Sequence, residues 1–279
     1  MSFAPVHSRA ELAAAVEIAQ EAGQLLAARP ETLELDTKTS KTDIVTHMDK
    51  LAEELIVGKL RSNFPKDGIL GEEGAEYASE SGFQWVIDPL DGTINYLYGL
   101  PAWAVSIARL ELKTGLAQVG VVSAPNLGKT YFASAGNGSF ELHSQSTLEV
   151  GTCKDLSHAL IGTGFSYQST VRAGQARILT DLLPTVRDIR RIGSCALDLC
   201  FVAEGLLDGF FERKVNLWDH AAGGLIAREA GALVSGLRGQ VESFDMLVAT
   251  NRHLANELTG LLEALDADSD RAVNLKGAD

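Results

Sequence analysis

Trp85-Val86-Ile87-Asp88-Pro89-Leu90-Asp91-Gly92-Thr93 is the most informative stretch of the sequence. Its apolar start predicts the end of a buried strand. Pro89 fixes one φ angle and Gly92 permits a tight bend, so the chain should turn and direct Asp88 and Asp91 toward one place. A helix that begins at Thr93 would leave backbone N–H groups for an anion. This pattern suggests metal ions that hold a phosphate, but Pro-x-Asp-Gly is also a common surface turn. The stretch alone leaves both interpretations open.

Composition and charge favour a metal-dependent phosphate site. The chain has 279 residues, of which 46% are hydrophobic, enough for one large domain or two small ones with a sizeable core. Its net charge is −13, without a cluster of lysine and arginine, which argues against nucleic acid as a main partner. An acidic protein that handles phosphate needs metal cations to offset the repulsion.

The cysteines and the N-terminal region predict a cytoplasmic protein. Cys153, Cys195 and Cys200 form no CxxC pair, and an odd number of cysteines suits a reducing compartment. The N-terminus lacks a basic segment followed by an apolar run, so no signal peptide is predicted. No stretch is long and apolar enough to predict a membrane span, and no membrane partner is expected.

The hydrophobic pattern changes along the chain. Residues 9–29 predict an amphipathic helix, whereas alternating apolar runs predict an antiparallel meander over 102–112, 116–124 and 130–134. After residue 150, strands and helices alternate, which predicts a layered α/β half. We therefore predict a single domain over residues 1–265, with an antiparallel-sheet half of about 1–150 and an α/β half of about 151–265. The polar end, 266–279, is predicted to be a disordered tail.

Acidic residues stand at the ends of three predicted elements, where functional groups are commonly placed: Glu72 and Glu73, Asp88 and Asp91, and Asp219. Mg²⁺ prefers oxygen ligands and keeps positions open for substrate phosphate. Two such ions can activate a water and stabilise a leaving oxygen. Taken singly, Gly-Glu-Glu could equally be a solvated turn, and Asp49 could be a plain helix N-terminal charge.

The ordered set of motifs resembles the inositol monophosphatase family. The resemblance covers roughly residues 9–264 and rests on Gly71-Glu72-Glu73, Asp88 to Thr93, Trp218-Asp219-His220-Ala221-Ala222, Asp43-Ile44-Val45-Thr46 with Asp49, and Ala227-Arg228-Glu229-Ala230-Gly231. It implies a fold of the α+β or α/β class, namely a layered αβαβα sandwich with two β-sheets. It also implies a Mg²⁺-dependent, lithium-sensitive phosphatase that forms a homodimer.

The resemblance assigns a role to each matching acidic residue. Glu72, Asp88 and the main-chain carbonyl of Leu90 would hold the first Mg²⁺. Asp88, Asp91 and Asp219 would hold the second, in a site of two or three ions. The residues that would orient the attacking water are Asp49, Glu72 and Thr93, and the backbone N–H groups of Gly92 and Thr93 would bind the phosphate.

The predicted substrate contacts lie mainly in the second half. By resemblance, a segment that lines the ring of the substrate comprises Gly193, Ser194, Cys195 and Ala196. Glu212, seven residues before Asp219, matches a glutamate that binds sugar hydroxyls. Lys38 matches a lysine in a mobile loop near the metals. Arg213 departs from many relatives, and a cation there could favour a substrate with a second anionic group.

The expected activity is hydrolysis of a small phosphorylated polyol, with inositol 1-phosphate as the leading substrate. Histidinol phosphate, fructose 1,6-bisphosphate and 3′-phosphoadenosine phosphate are alternatives that keep the metals and change the substrate. A regulatory protein that binds transcription machinery is an alternative of a different class, since some bacterial relatives that resemble this chain also bind transcription machinery.

Overall fold

A computed structural model of the protein describes residues 10–30, 33, 35–37 and 44–269. Within these residues the chain forms seven α-helices: α1 (Ala10–Ala27), α2 (His47–Asn63), α3 (Thr93–Leu97), α4 (Ser169–Leu182), α5 (Cys195–Ala203), α6 (Leu217–Glu229) and α7 (Ala255–Ala264). None of the helices described is both long and apolar enough to cross a bilayer. A short antiparallel pair precedes α2 and consists of β1 (Leu35–Thr37) and β2 (Ile44–Thr46).

The first large sheet contains the predicted meander. Its eight strands are β3 (Gly68–Gly71), β4 (Glu76–Tyr77), β5 (Phe83–Asp91), β6 (Ala104–Glu111), β7 (Leu116–Ala124), β8 (Lys129–Ser134), β9 (Ser139–Glu141) and β10 (Ser146–Thr147). They are ordered β10-β9-β8-β7-β6-β5-β3-β4. All neighbours are antiparallel except β3 and β5, which run parallel. That parallel pair brings the ends of two strands to the same edge of the sheet.

The second sheet is mixed, in order β12-β11-β13-β15-β14. Its strands are β11 (Leu160–Thr163), β12 (Asp188–Arg190), β13 (Gly209–Glu212), β14 (Leu233–Ser235) and β15 (Leu247–Thr250). β11 is parallel to β12 and β13, whereas β15 is antiparallel to both of its neighbours. The alternation of strands and helices predicted for this half is present.

Helices and sheets stack in five layers, which confirms the predicted αβαβα sandwich. Alternation along β5 shows why, because successive side chains on a strand point to opposite faces. Trp85 and Ile87 pack against the apolar sides of α1 and α2. Val86 instead faces α5 and α6, which fill the space between the two sheets. A third cluster buries α4 and α7 on the outer face of the second sheet.

The chain remains packed beyond residue 265, where the sequence predicts a disordered tail. Ala267 is fully buried, and Arg238 forms ion pairs with Asp266 and Asp268. The guanidinium of Arg213 donates a hydrogen bond of 2.8 Å to the carbonyl of Ser269. The prediction is therefore wrong for residues 266–269, and residues 270–279 lie outside the described part of the chain.

Candidate active site

A β-bulge at the end of β5 directs Asp88 and Asp91 into one cavity. β5 pairs with β6 continuously as far as Asp88 and Ser106, and the register then shifts before Asp91 pairs with Ala104. Pro89 lies in this interval, where its missing N–H favours an interrupted ladder. A bulge bends the strand and re-aims its side chains. As a result both carboxylates, which the alternation of a regular strand would place on opposite faces, line the same cavity.

Glu72 joins them because β3 and β5 are parallel. Gly71 is in register with Ile87, so the next residue on each strand, Glu72 and Asp88, emerges at the same edge. The backbone N–H of Glu72 donates a hydrogen bond of 3.1 Å to the carbonyl of Ile87. This bond fixes where the loop leaves the strand.

Asp219 reaches the same cavity from the N-terminus of α6. Its carboxylate accepts a hydrogen bond from the backbone N–H of Asn216, which forms a capping box at the start of the helix. α6 packs between the sheets and across the strands that precede the acidic loops. The cap therefore fixes the position of the Asp219 carboxylate at the cavity.

The four acidic side chains form a like-charged cluster, in which Asp88 and Asp91 are buried and Glu72 and Asp219 are half-buried. Burial raises the pKa of Asp88 well above its ordinary value, and the charges of Glu72, Asp91 and Asp219 raise it further. The pKa of Asp219 is also well raised, first by burial and then by the charge of Glu72. For Asp91, burial raises the pKa to about 6, against hydrogen bonds from Ser194 and Ala196.

Such a cluster suits a hard divalent cation, since bound positive charge would offset both the burial and the repulsion. Among the described residues, no three side chains of His, Cys, Asp or Glu already have the arrangement of a metal centre. The carboxylates of Asp91 and Asp88 instead accept hydrogen bonds from nearby protein groups. Asp91 Oδ2 accepts hydrogen bonds from the Ser194 hydroxyl at 2.6 Å and the Ala196 amide at 2.7 Å. Asp88 Oδ1 accepts one from the Leu90 amide at 2.9 Å.

Asp49 and Thr93 form a hydrogen-bonded pair beside the cluster. Thr46 caps α2. Asp49 Oδ2 accepts hydrogen bonds from the backbone amide of Thr46 at 2.9 Å and from the Thr46 hydroxyl at 2.6 Å. Asp49 Oδ1 faces the Thr93 hydroxyl at 3.1 Å, and that hydroxyl is also 3.1 Å from the carbonyl oxygen of Leu90. One hydroxyl proton serves these two acceptors, so the oxygen keeps lone pairs for a water. The hydrogen bonds from Thr46 thus fix the carboxylate of Asp49, and that carboxylate in turn fixes the Thr93 hydroxyl.

The cavity extends from the acidic cluster to Glu212, with a volume of about 490 Å³. Gly193, Cys195 and Arg191 also line it. A Cβ on Gly193 would lie 2.3 Å from Arg191 Nη1, so the guanidinium lies directly over this glycine. Burial raises the pKa of Glu212 to about 8, although the charge of Arg191 lowers it. Burial, and then the charge of Glu212, keep the pKa of the Cys195 thiol well above its ordinary value.

Most of the predicted site residues lie together. The cavity is lined by Glu72, Asp88, Leu90, Asp91, Gly92, Thr93, Gly193, Cys195, Glu212 and Asp219. Ser194 and Ala196 lie behind the wall and donate to Asp91, whereas Asp49 lies behind Thr93. Lys38 falls outside the described residues.

Arg213 has a structural role that the sequence did not indicate. Its side chain is buried, and its guanidinium donates to the carbonyls of Asp245 at 3.2 Å and Ser269 at 2.8 Å. Arg213 nevertheless lines the cavity, so the expectation that it favours a second anionic group stays a prediction. Arg191, which the sequence analysis did not single out as a substrate contact, lines the same cavity, and its guanidinium lies over Gly193.

Two further contacts shape the substrate end. The Asn95 amide nitrogen donates to the carbonyls of Ala102 at 2.6 Å and Ile192 at 2.9 Å, joining α3 to the loop that carries Gly193. Gln175 on α4 holds the loop of residues 165–168, which lines the cavity, by bonding the Ser166 amide at 3.0 Å and the Gly164 carbonyl at 3.2 Å. Asn95 lies 97 residues before Ile192, and Gln175 lies 9 residues after Ser166, so neither amide belongs to a short motif.

Comparison with known proteins assigns the family. The sequence model of the inositol monophosphatase family matches residues 8–267. The chain is 42% identical over 235 residues to the inositol-1-monophosphatase of Mycobacterium leprae, covering 81% of this chain and 80% of that protein. It is also 40% identical over 230 residues to the Nus factor SuhB of Escherichia coli, covering 81% of this chain and 84% of that protein.

Solved structures agree with this assignment. The structure of the extragenic suppressor protein SuhB from Bartonella henselae superposes with a TM-score of 0.85 at 33% identity, and the match covers 91% of this chain and 99% of that one. The fold and the acidic site define a phosphatase-type architecture, and the chain belongs to the inositol monophosphatase family. The resemblance inferred from the motifs is therefore confirmed.

Proposed function

We propose that the protein hydrolyses phosphate monoesters with Mg²⁺ held by Glu72, Asp88, the Leu90 carbonyl, Asp91 and Asp219. The observation that carries this proposal is the convergence of four acidic side chains from β3, β5 and α6 on one cavity. Burial and the neighbouring carboxylates disfavour the ionised forms of Asp88 and Asp219, and a cation would offset both effects. Membership of the family supports phosphatase activity and general dependence on Mg²⁺.

The protein groups position the reactants. Bound Mg²⁺ would lower the pKa of a water molecule and offset charge on the phosphate. Thr93 and Asp49 would orient that water, because the capped Asp49 fixes the Thr93 hydroxyl from one side. Glu72 would accept a hydrogen bond from the same water, and the backbone N–H groups of Gly92 and Thr93 would bind phosphate oxygens. Phosphoryl transfer depends mainly on such positioning and charge compensation.

A polyol phosphate such as inositol 1-phosphate is the substrate that the cavity suits best. Glu212 lines the same cavity as the acidic cluster, where its carboxyl group can pair with hydroxyl groups of the substrate. Arg191 lies beside it and offers donors to the same hydroxyls. Histidinol phosphate, fructose 1,6-bisphosphate and 3′-phosphoadenosine phosphate are the alternative substrates. The guanidinium of Arg191 could pair with a second anionic group of such a substrate.

Release of inorganic phosphate from these four substrates, measured with and without Mg²⁺, tests the proposal. We expect the highest kcat/KM with inositol 1-phosphate and inhibition by millimolar Li⁺. Asp91→Asn should lower kcat by orders of magnitude while circular dichroism shows an intact fold. Leu90→Met is the matched control, since it keeps the carbonyl and should retain activity. Near-normal turnover by Asp91→Asn would overturn the mechanism.

A regulatory role is a second candidate, because relatives about 40% identical are named Nus factor SuhB. Pull-down of RNA polymerase with the wild type and with an inactive Asp88→Asn variant separates the two functions. Retention of polymerase by both proteins would support a role that is independent of hydrolysis. The homodimer also stays a prediction, and sedimentation of the purified protein measures it directly.

A further inference from the structure

Glu53 lies four residues after Asp49 on α2, so the two carboxylates share one face of the helix. Both side chains are buried, at 1% exposure for Asp49 and 5% for Glu53. Glu53 Oε2 accepts a hydrogen bond from the Glu73 amide at 2.9 Å, and Oε1 accepts one from the Ala75 amide at 2.9 Å. A carboxylate on the helix of Asp49 therefore binds the loop that carries Glu72.

The loop is built around this carboxylate. It closes on itself through a bond of 2.7 Å from the Gly71 amide to the Ala75 carbonyl. A Cβ on Gly71 would lie only 2.3 Å from Glu53 Oε2, so glycine is required for the carboxylate to approach the backbone. Successive backbone N–H groups in a turn can form a concavity that binds an anion. Here the carboxylate of Glu53 occupies such a concavity.

A purely structural role must be distinguished from a functional one, since buried carboxylates elsewhere in the fold also hold turns. Glu141 is an example in the β9 hairpin. It is 1% exposed and accepts bonds from the amides of Thr130 at 3.2 Å, His143 at 3.0 Å and Ser144 at 2.6 Å. Glu141 does not line the active-site cavity, whereas the loop held by Glu53 carries Glu72, which does.

We propose that Glu53 is a positioning residue that fixes Glu72 relative to Asp49 and thereby sets the affinity for Mg²⁺. This inference rests on the function proposed above. Through α2, one helical turn connects the residue that orients the water to the residue that fixes a metal ligand. Groups that orient metal ligands typically change metal affinity 10- to 100-fold when they are mutated.

The test is Glu53→Gln, which keeps the size of the side chain and replaces one acceptor oxygen with an amide that cannot accept from a backbone N–H. Calorimetric titration of the substrate-free protein with MgCl₂ should show binding weakened by about 10- to 100-fold. The Mg²⁺ concentration for half-maximal phosphatase activity should rise by a similar factor. KM for inositol 1-phosphate at saturating Mg²⁺ should change less than about twofold, because Glu53 does not line the cavity.

Glu141→Gln is the matched control, with the same chemical change in a turn away from the site. It should lower Tm and leave Mg²⁺ binding at the wild-type value. If Glu53→Gln also lowers Tm but binds Mg²⁺ like the wild type, Glu53 is only structural and the inference is wrong. Gly71→Ala, which crowds the same contact from the loop side, provides a second variant if Glu53→Gln does not fold. Failure of the wild type itself to bind Mg²⁺ would overturn the proposed function, and this inference with it.

Discussion

The acidic cluster predicts how the stability of the metal-free protein depends on pH. Burial raises the pKa of Asp91 from 3.8 to about 6 and that of Glu212 from 4.5 to about 8. A raised pKa means that the folded state binds more protons than the unfolded state, so stability falls as pH rises. This contribution is fully present below about pH 4, and it is lost as pH passes through 6 for Asp91 and 8 for Glu212.

The size of the effect follows from the shift in pKa. For Asp91 the shift of about two units corresponds to roughly 3 kcal/mol of unfolding free energy. Glu212 is only partly buried, so solvent screening reduces its contribution. Asp88 and Asp219 shift in the same direction. We therefore expect Tm of the metal-free protein to fall between about pH 4 and pH 8.

Differential scanning calorimetry in EDTA, and again in excess Mg²⁺, measures this dependence. Metal ligands must be deprotonated, so Mg²⁺ should stabilise the protein most at the alkaline end and flatten the curve. At 100 times the dissociation constant, the stabilisation would be about 2.7 kcal/mol. Glu212→Gln should remove the part of the decline near pH 8. A metal-free Tm that is constant or rises from pH 4 to pH 8 would refute the reasoning.

Four substitutions test individual contacts. Thr93→Val removes the hydroxyl beside Asp49 and should lower kcat by about 10²- to 10⁴-fold, with Mg²⁺ binding measured by calorimetry unchanged. Ser194→Ala removes a hydrogen bond that lowers the pKa of Asp91, so the pH at which Mg²⁺ activates should rise; an unchanged pH profile would argue against this link. Arg191→Gln should reduce kcat/KM for fructose 1,6-bisphosphate about 10- to 100-fold more than for a simple polyol phosphate, and equal losses would exclude a contact with a second anion. Ile87→Ala should lower the unfolding free energy by about 2–5 kcal/mol in urea titration, because Ile87 is fully buried against α1 and α2.

Local pattern was enough to predict much of the fold. Glycine, proline and the alternation of apolar residues marked the strands of the first sheet, and the proline between Asp88 and Asp91 indicated the bend that the bulge produces. The order of acidic motifs identified the family, and through it the layered architecture. Each strand pattern and each motif can be recognised because its residues are close in sequence.

Contacts between distant segments could not be predicted in this way. The position of Glu72 beside Asp88 depends on the parallel pairing of β3 with β5, which alternation does not reveal. The guanidinium of Arg213 bonds to the distant carbonyl of Ser269, and that of Arg191 lies over Gly193, and neither position is visible in the sequence. Glu53 precedes the loop that it binds by about 20 residues, so its two bonds appear only in the folded chain.

The location of the metal ions is measured most directly by anomalous diffraction from crystals soaked in MnCl₂, since Mn²⁺ accepts the same oxygen ligands as Mg²⁺. We expect two or three anomalous peaks in the cavity, in contact with Glu72, Asp88, the Leu90 carbonyl, Asp91 and Asp219. The Ser194 hydroxyl should remain bonded to Asp91. Full soaking with no peak among these carboxylates, or peaks only elsewhere on the surface, would contradict the assignment of this cluster as the metal site of a phosphatase.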